Sequence, residues 1–438
     1  MFSAIIQKEV LDNIQSKIFL ISLFFMLIIS AICSFVLVND FNEKNRENVE
    51  YSINHERLLN TITPGAMGGI WMTPIKPLPK LSMFFHGITN ILGLPSIDRD
   101  TVPLLFPQTD FFLIIGFFMS LMAILFSFSA VSGEKEEGML RAIFSNPLKR
   151  AKLLIGKWIG GVISLAIPFS ICYIFAILVA VTKADVTWSL TDWLSLFSIY
   201  ILGLIYISLF YLIGLYVSTK TSQPHISMLV ALLIWAFLVL VMPTLPDYLG
   251  KEIFPAPSVA KFIYEGELRN ETERKKITQK IQEPYQNKGL SIIQIDSITH
   301  DEVQSAIQPL QNQRKKAEND FLMKLGKQFL ASTAVAMLSP YASFTLAGKE
   351  LSAVGISSQI HFKNQCEPYE MELWNYIDKR KVDWNTQLDM SGRPKFEYKE
   401  IPFILRIAAA GIPVLFLIIF NILFFVLAVK AFLKYDVR

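Results

Sequence analysis

The sequence predicts a mainly α-helical, polytopic membrane protein, and three observations carry that prediction. Of 438 residues, 52 % are apolar and only 18 % charged, with a mean hydropathy of +0.42. That is the balance of a chain that uses lipid as solvent. Six runs without Asp, Glu, Lys or Arg fall near 18–38, 111–131, 158–182, 193–219, 226–246 and 407–429. Each reaches about 30 Å or more as a helix rising about 1.5 Å per residue, enough to cross a bilayer. Between the runs lie two long polar stretches, 39–110 and 247–402, the second large enough to form a domain.

The elements follow in order. Residues 1–17 place Phe2, Ile5, Ile6, Val10, Leu11 and Ile14 near i, i+3, i+4 among Gln7, Lys8, Glu9, Asp12 and Asn13, the pattern of an amphipathic interfacial helix. The run 18–38 is too long for a signal-peptide core and no Ala-x-Ala site follows, so it reads as an uncleaved first span. Asp40 to Leu59 reads as polar helix. Pro74, Pro77 and Pro79 then forbid helix and suit extended or edge-strand chain. Within 247–402, residues 257–284 and 301–338 read as helices, the second capped by Thr299 or Asp301. Trp374, Tyr376 and Lys379-Arg380-Lys381 belong to a further helix. The polar stretch 388–400, with Gly392 and Pro394, reads as a linker to the last span. The expected fold class is therefore six transmembrane helices, an N-terminal amphipathic helix and a helical α+β domain outside the membrane.

Lys and Arg near span ends set the orientation. Segment 132–157 carries Lys135, Arg141, Lys149, Arg150, Lys152 and Lys157, residues 220–225 carry Lys220, and the tail 430–438 carries Lys430, Lys434 and Arg438. With six spans these segments and the N-terminus share one side, the cytoplasmic one. Residues 39–110, the hairpin 183–192 and 247–402 then lie outside the cell membrane.

Several function classes lack their residues. No Gly-x-x-x-x-Gly-Lys-Ser/Thr occurs: Gly156-Lys157, Gly326-Lys327 and Gly348-Lys349 are each followed by another residue type, so no P-loop exists. The runs hold almost no ionisable groups, only Lys157, His225 and Arg406 near their ends and the amide Asn421, which disfavours ion-coupled transport. His55, His86, His225, His300 and His361 have no partners at metal-ligand spacing. Cys33, Cys172 and Cys366 make no disulfide framework. A net charge of +4 gives no argument for nucleic acid.

Segment 131–158 concentrates the remaining signal. Ser132 is placed to cap a helix, and Glu134, Glu136 and Glu137 sit where acids favour its positive end. Met139, Leu140, Ile143 and Phe144 form an apolar stripe, Ser145-Asn146-Pro147 ends the helix, and Lys149, Arg150, Lys152 and Lys157 follow. The pattern is an amphipathic helix at a membrane surface, acidic first and basic later. Gly160-Gly161 mark a close helix contact.

The order Glu134, Glu136, Glu137, Gly138, Leu140, Pro147, Arg150, Gly156, Lys157 resembles the cytoplasmic coupling segment of ABC-2 type permeases, the membrane subunits of ABC exporters. Met139 departs from the Thr common there. The stretch to Leu81-Ser82 and Gly87, together with Leu338-Ser339-Pro340, Leu346-Ala347-Gly348, Gly355, His361-Phe362 and Glu367-Pro368-Tyr369, resembles the branch of that family with an enlarged extracytoplasmic domain. The resemblance implies that residues 1–17 are an elbow helix and that Glu134, Glu136, Glu137, Gly138, Leu140, Arg141, Ile143, Phe144, Pro147 and Arg150 contact an ABC ATP-binding subunit. It implies no cofactor on this chain, ATP and Mg on the partner, a second permease copy or paralogue, contact with membrane lipid, and residence in the inner (cytoplasmic) membrane. The function implied is an exporter permease. The alternative is a membrane subunit that passes ATP-driven motion to an extracytoplasmic partner protein without moving a substrate.

Overall fold

The computed structural model describes residues 2–61, 73–85, 110–140, 149–286, 292–379, 390 and 392–434. They divide into two compact units, one of residues 1–241 and 338–438, the other Met242–Met337. Six helices are long and apolar enough to cross a membrane: Lys17–Asn60, Ile114–Glu136, Arg150–Lys183, Leu190–Lys220, Pro224–Thr244 and Phe403–Leu433.

The first unit is built around Leu190–Lys220. This helix is apolar on every side, so no face of it needs water. Of its apolar stretch 67 % is buried, against 17 % for Phe403–Leu433, so the first is a core helix and the second a peripheral one. Tyr206, Phe210 and Tyr211 are fully buried on it. Helices 120–127, 150–183, 224–236, 340–351 and 403–433 pack around it. Tyr206 stacks on Phe344 with ring centroids 4.5 Å apart and donates through its hydroxyl to Gly116 O at 2.8 Å. That carbonyl belongs to a π-helical turn, Ile114–Met119, whose widened ladder frees a carbonyl for an outside donor.

The first span does not stop at the end of its apolar run. Lys17–Thr61 is one helix of 45 residues, about 67 Å long, and the expected polar helix from Asp40 is its continuation. In the second unit the expected helices 257–284 and 301–338 appear as Val259–Gln286 and Ile292–Ala336. Thr299 is interior to the latter and bonds back to Ile295 O at 2.7 Å rather than capping it. The stretch 247–402 divides between the units: Pro340–Leu351 and Ile356–Asp378 belong with the spans.

The expected α+β character is not found, since the described residues contain no strand. The physical reason is visible in the two extended stretches. Residues 74–79 lose N–H donors at three prolines, and helix side chains satisfy the segment instead. Asn48 donates to Lys76 O at 3.2 Å, Lys76 donates to Ser358 Oγ at 2.9 Å, and Thr73 donates to Glu370 Oε1 at 2.8 Å. Around Lys399, the Gln365 amide replaces a neighbouring strand, accepting from Lys399 N and donating to Lys399 O, both at 2.9 Å.

Candidate functional site

The charged segment after the second span is where the sequence concentrates its signal, and its geometry grows from Lys157. This lysine lies about two turns into helix Arg150–Lys183 and is 5 % exposed along its side chain. A buried ammonium must be paired. Its Nζ lies 2.8 Å from Glu134 Oε1 and 3.3 Å from Glu9 Oε2. Glu134 sits on the short helix Ser132–Glu136, and Glu9 on the N-terminal helix Phe2–Gln15. One lysine therefore joins three elements distant in sequence.

Small residues make the approach feasible. Helix 150–183 presents Gly156, Gly160 and Ser164 at successive turns to helix 2–15. A Cβ on Gly160 would stand 2.7 Å from Glu9 Cβ and 3.2 Å from Ile6 O, so glycine is required for that contact. Asn13 donates to Ser164 Oγ at 3.3 Å, one turn further along. Tyr211 of the central helix closes the cluster: its hydroxyl lies 3.2 Å from Lys157 O and 3.5 Å from Glu9 Oε1. Burial holds the Glu9 carboxyl above its usual range, against the lowering pull of the Lys157 ammonium. Two carboxylates share one ammonium, and Glu134 Oε2 is buried without a hydrogen-bond partner.

The short helix is fixed on its other side too. Its first N–H groups need acceptors. Ser132, expected to cap it, is instead its first residue and donates its hydroxyl to Phe128 O at 2.8 Å. The acceptor comes from the central helix: Ser218 Oγ takes Val131 N at 3.0 Å and Ser132 N at 2.9 Å. Lys135 reaches the C-terminal end of that helix, donating to Thr219 O at 2.6 Å and Thr221 O at 2.8 Å. A cation there also meets the negative end of the helix dipole.

The residues expected to make one face therefore separate. Glu134 points inward to Lys157, while Glu136, Glu137, Gly138 and Met139 are exposed and Leu140 is buried. The expected continuous helix breaks at Gly138, which adopts φ +70°, the left-handed conformation that favours glycine. Arg150 donates to Leu433 O at 3.2 Å, at the end of the last span. Arg141, Ile143, Phe144 and Pro147 lie outside the described residues.

Sequence reasoning missed Glu9, Ser218 and Tyr211 as partners of this segment. A signal for Glu9 was available: Lys157 adjoins an apolar run and needs an acid at the same depth, and Glu9 lies about two turns before the first span. Nothing local marked Ser218 or Tyr211, because their role depends on which helices become neighbours. The close contact expected at Gly160-Gly161 is present, with Gly160 against helix 2–15 and Gly161 against the Tyr211 ring.

Together the residues form a fastening rather than a reaction centre. They hold an exposed acidic tip on a base made of the N-terminal helix and two spans. No curated protein matches the sequence. A family model described as ABC-2 family transporter protein matches residues 3–437, nearly the whole chain, and the chain therefore belongs to the ABC-2 family of transporter proteins.

Proposed function

We propose that this ABC-2 permease is the membrane subunit of an exporter driven by a separate ATP-binding subunit, and that the tip 136–139 is where that subunit docks. The observation that carries the reading is the exposed pair Glu136-Glu137 on a base fastened to helices 2–15, 150–183 and 190–220. An acidic exposed tip selects a basic groove. A rigid base passes displacement of that tip to the spans instead of absorbing it. The ten contact residues expected from the sequence divide accordingly. Glu136, Glu137 and Gly138 face the ATPase, with Arg141, Ile143, Phe144, Pro147 and Arg150 completing the contact. Glu134 and Leu140 anchor the tip from behind.

In this reading the tip is cytoplasmic, the membrane is the inner one, two copies or paralogues pair, and helix 2–15 is the interfacial elbow. ATP and Mg reside on the partner. The branch with an enlarged extracytoplasmic domain agrees with the separate compact unit Met242–Met337. That unit also favours a second reading, in which motion is passed to an extracytoplasmic protein.

The test is purification of the intact chain in mild detergent from the cells that produce it. An ATP-binding protein in equal amount is expected, and it is expected to be lost when Glu136 and Glu137 are both replaced by Lys. Undiminished recovery from the double variant would remove the tip from the interface. Recovery of no ATPase with the unaltered chain would overturn the permease reading itself.

A further inference from the structure

Helix 190–220 is fastened at both ends, and among the candidate spans of the described residues it alone combines central burial with an unbroken ladder. At one end Lys135 and Ser218 bind it to the segment that begins the acidic tip. At the other end its first turn carries Asp192, 2 % exposed, whose Oδ2 accepts from Ser189 N at 2.8 Å and lies 3.1 Å from Lys80 Nζ. Lys80 opens the short 3-10 helix Lys80–Met83 that follows the proline-rich stretch. One turn along, Ser195 Oγ accepts from the Arg406 guanidinium at 3.2 Å, and Arg406 is paired with Glu400 at 3.4 Å. Both fastenings are charge-assisted and partly buried, and bonds to a charged group are stronger than neutral ones.

The other candidate spans are interrupted or peripheral. Helix 150–183 contains Pro168 and helix 403–433 contains Pro413. Span 114–136 begins in a π-turn, and span 224–244 ends in a π-turn followed by a 3-10 turn. Helix 17–61 is continuous, but only 28 % of its apolar stretch is buried. Helix 190–220 has no proline, 31 residues and a length of about 46 Å. Interruptions are where helices bend; a helix without one moves as a rigid body.

We infer that helix 190–220 is the rod that carries displacement of the acidic tip across the membrane to residues 77–83, the strap that holds Lys80, with Lys135 and Ser218 as positioning residues at one end and Asp192 at the other. The inference rests on the permease reading above and names the element by which that reading works. A push on residues 131–136 is delivered through Ser218 and Lys135 to the helix end. It emerges at Asp192 and Ser195, where it bears on the strap 77–83 and on the first turn of the last span.

The test uses the purified chain with its ATPase, in a background with Cys33, Cys172 and Cys366 replaced by Ser and a single reporter, Pro77→Cys, on the exposed part of the strap. The rate of its reaction with a membrane-impermeant maleimide is measured before and after trapping with ATP and vanadate. A several-fold change on trapping is expected with helix ends intact and with Lys135→Arg. The change is expected to vanish in Lys135→Met, Ser218→Ala and Asp192→Asn, each still bound to an active ATPase. Ser218→Ala and Asp192→Asn alter few atoms and guard against a Lys135→Met chain that fails to fold. A trapping response retained in Ser218→Ala and Asp192→Asn overturns the rod, as does an intact chain that hydrolyses ATP with no response at Pro77. Absence of ATPase from the intact preparation is read before trapping and sinks the underlying permease reading instead.

Discussion

Lys157 shows how one residue sets the cost structure of a membrane-protein interior. Its ammonium is affordable only beside Glu9 and Glu134, and their carboxylates only beside it. Lys157→Met leaves two largely buried acids without their cation and is expected to cost about 3 kcal/mol, the low end for breaking a buried ion pair. Adding Glu9→Gln and Glu134→Gln removes the orphaned charges and is expected to restore part of that loss. Unfolding midpoints in detergent decide it: a triple variant less stable than the single would contradict the pairing. A second residue-scale expectation concerns Lys76, outside the spans. Burial lowers its ammonium from 10.5 to about 8, with Glu350 opposing. Between those values the unfolded chain holds more protons than the folded one, so stability rises with pH there. Below about 8 both states are protonated and the penalty is fully present. Lys76→Met is expected to flatten the rise in stability between pH 8 and 10; an unchanged slope would show that Lys76 is not its source.

At the scale of elements, a small-residue stripe and a set of helix caps decide which helices become neighbours. Gly160→Leu places a branched side chain where Glu9 Cβ and Ile6 O already stand. Overpacking of this kind costs about 1–3 kcal/mol. The prediction is that helix 2–15 leaves its seat and trypsin cleaves faster at Lys8; an unchanged cleavage rate would mean that the stripe does not hold the helix. The six membrane-length helices were legible in the sequence because apolar runs are local signals. The continuous helix 17–61 was legible only as two pieces, since a change from apolar to polar residues marks the membrane boundary and not the end of a helix. The expected strand character failed because proline-rich chain excludes helix without supplying the ladder partner a strand needs.

For the whole molecule, the division into two units has a mechanical consequence. The last turn before the second unit and the second residue after it meet within the first unit, where Ser339 donates to Leu238 O at 2.9 Å. Residues 242–337 therefore leave from and return to neighbouring points, the geometry in which an inserted unit is removable. Replacing them by a short Gly-Ser linker is expected to leave a chain that inserts, unfolds at a similar temperature and still brings down its ATPase. Loss of ATPase capture would show that the second unit is needed for the first to fold. With capture intact, loss of a co-purifying extracytoplasmic protein would favour the motion-passing reading over export alone.

The sequence by itself determined the class of this protein: an ABC-2 family membrane protein with six apolar runs and a charged segment between the second and third. Hydrophobic length, loop charge and motif order are written along the chain and need no fold to be read. Only the tertiary structure decided what the charges do. Glu134, expected as a contact residue, stands as the counterion of Lys157 because helix 150–183 brings the two together. Lys135 becomes a helix cap because the central helix ends there. Pairings across more than twenty residues of chain depend on helix packing, and packing in the membrane is settled by small-residue contacts and buried polar partners that no local pattern specifies.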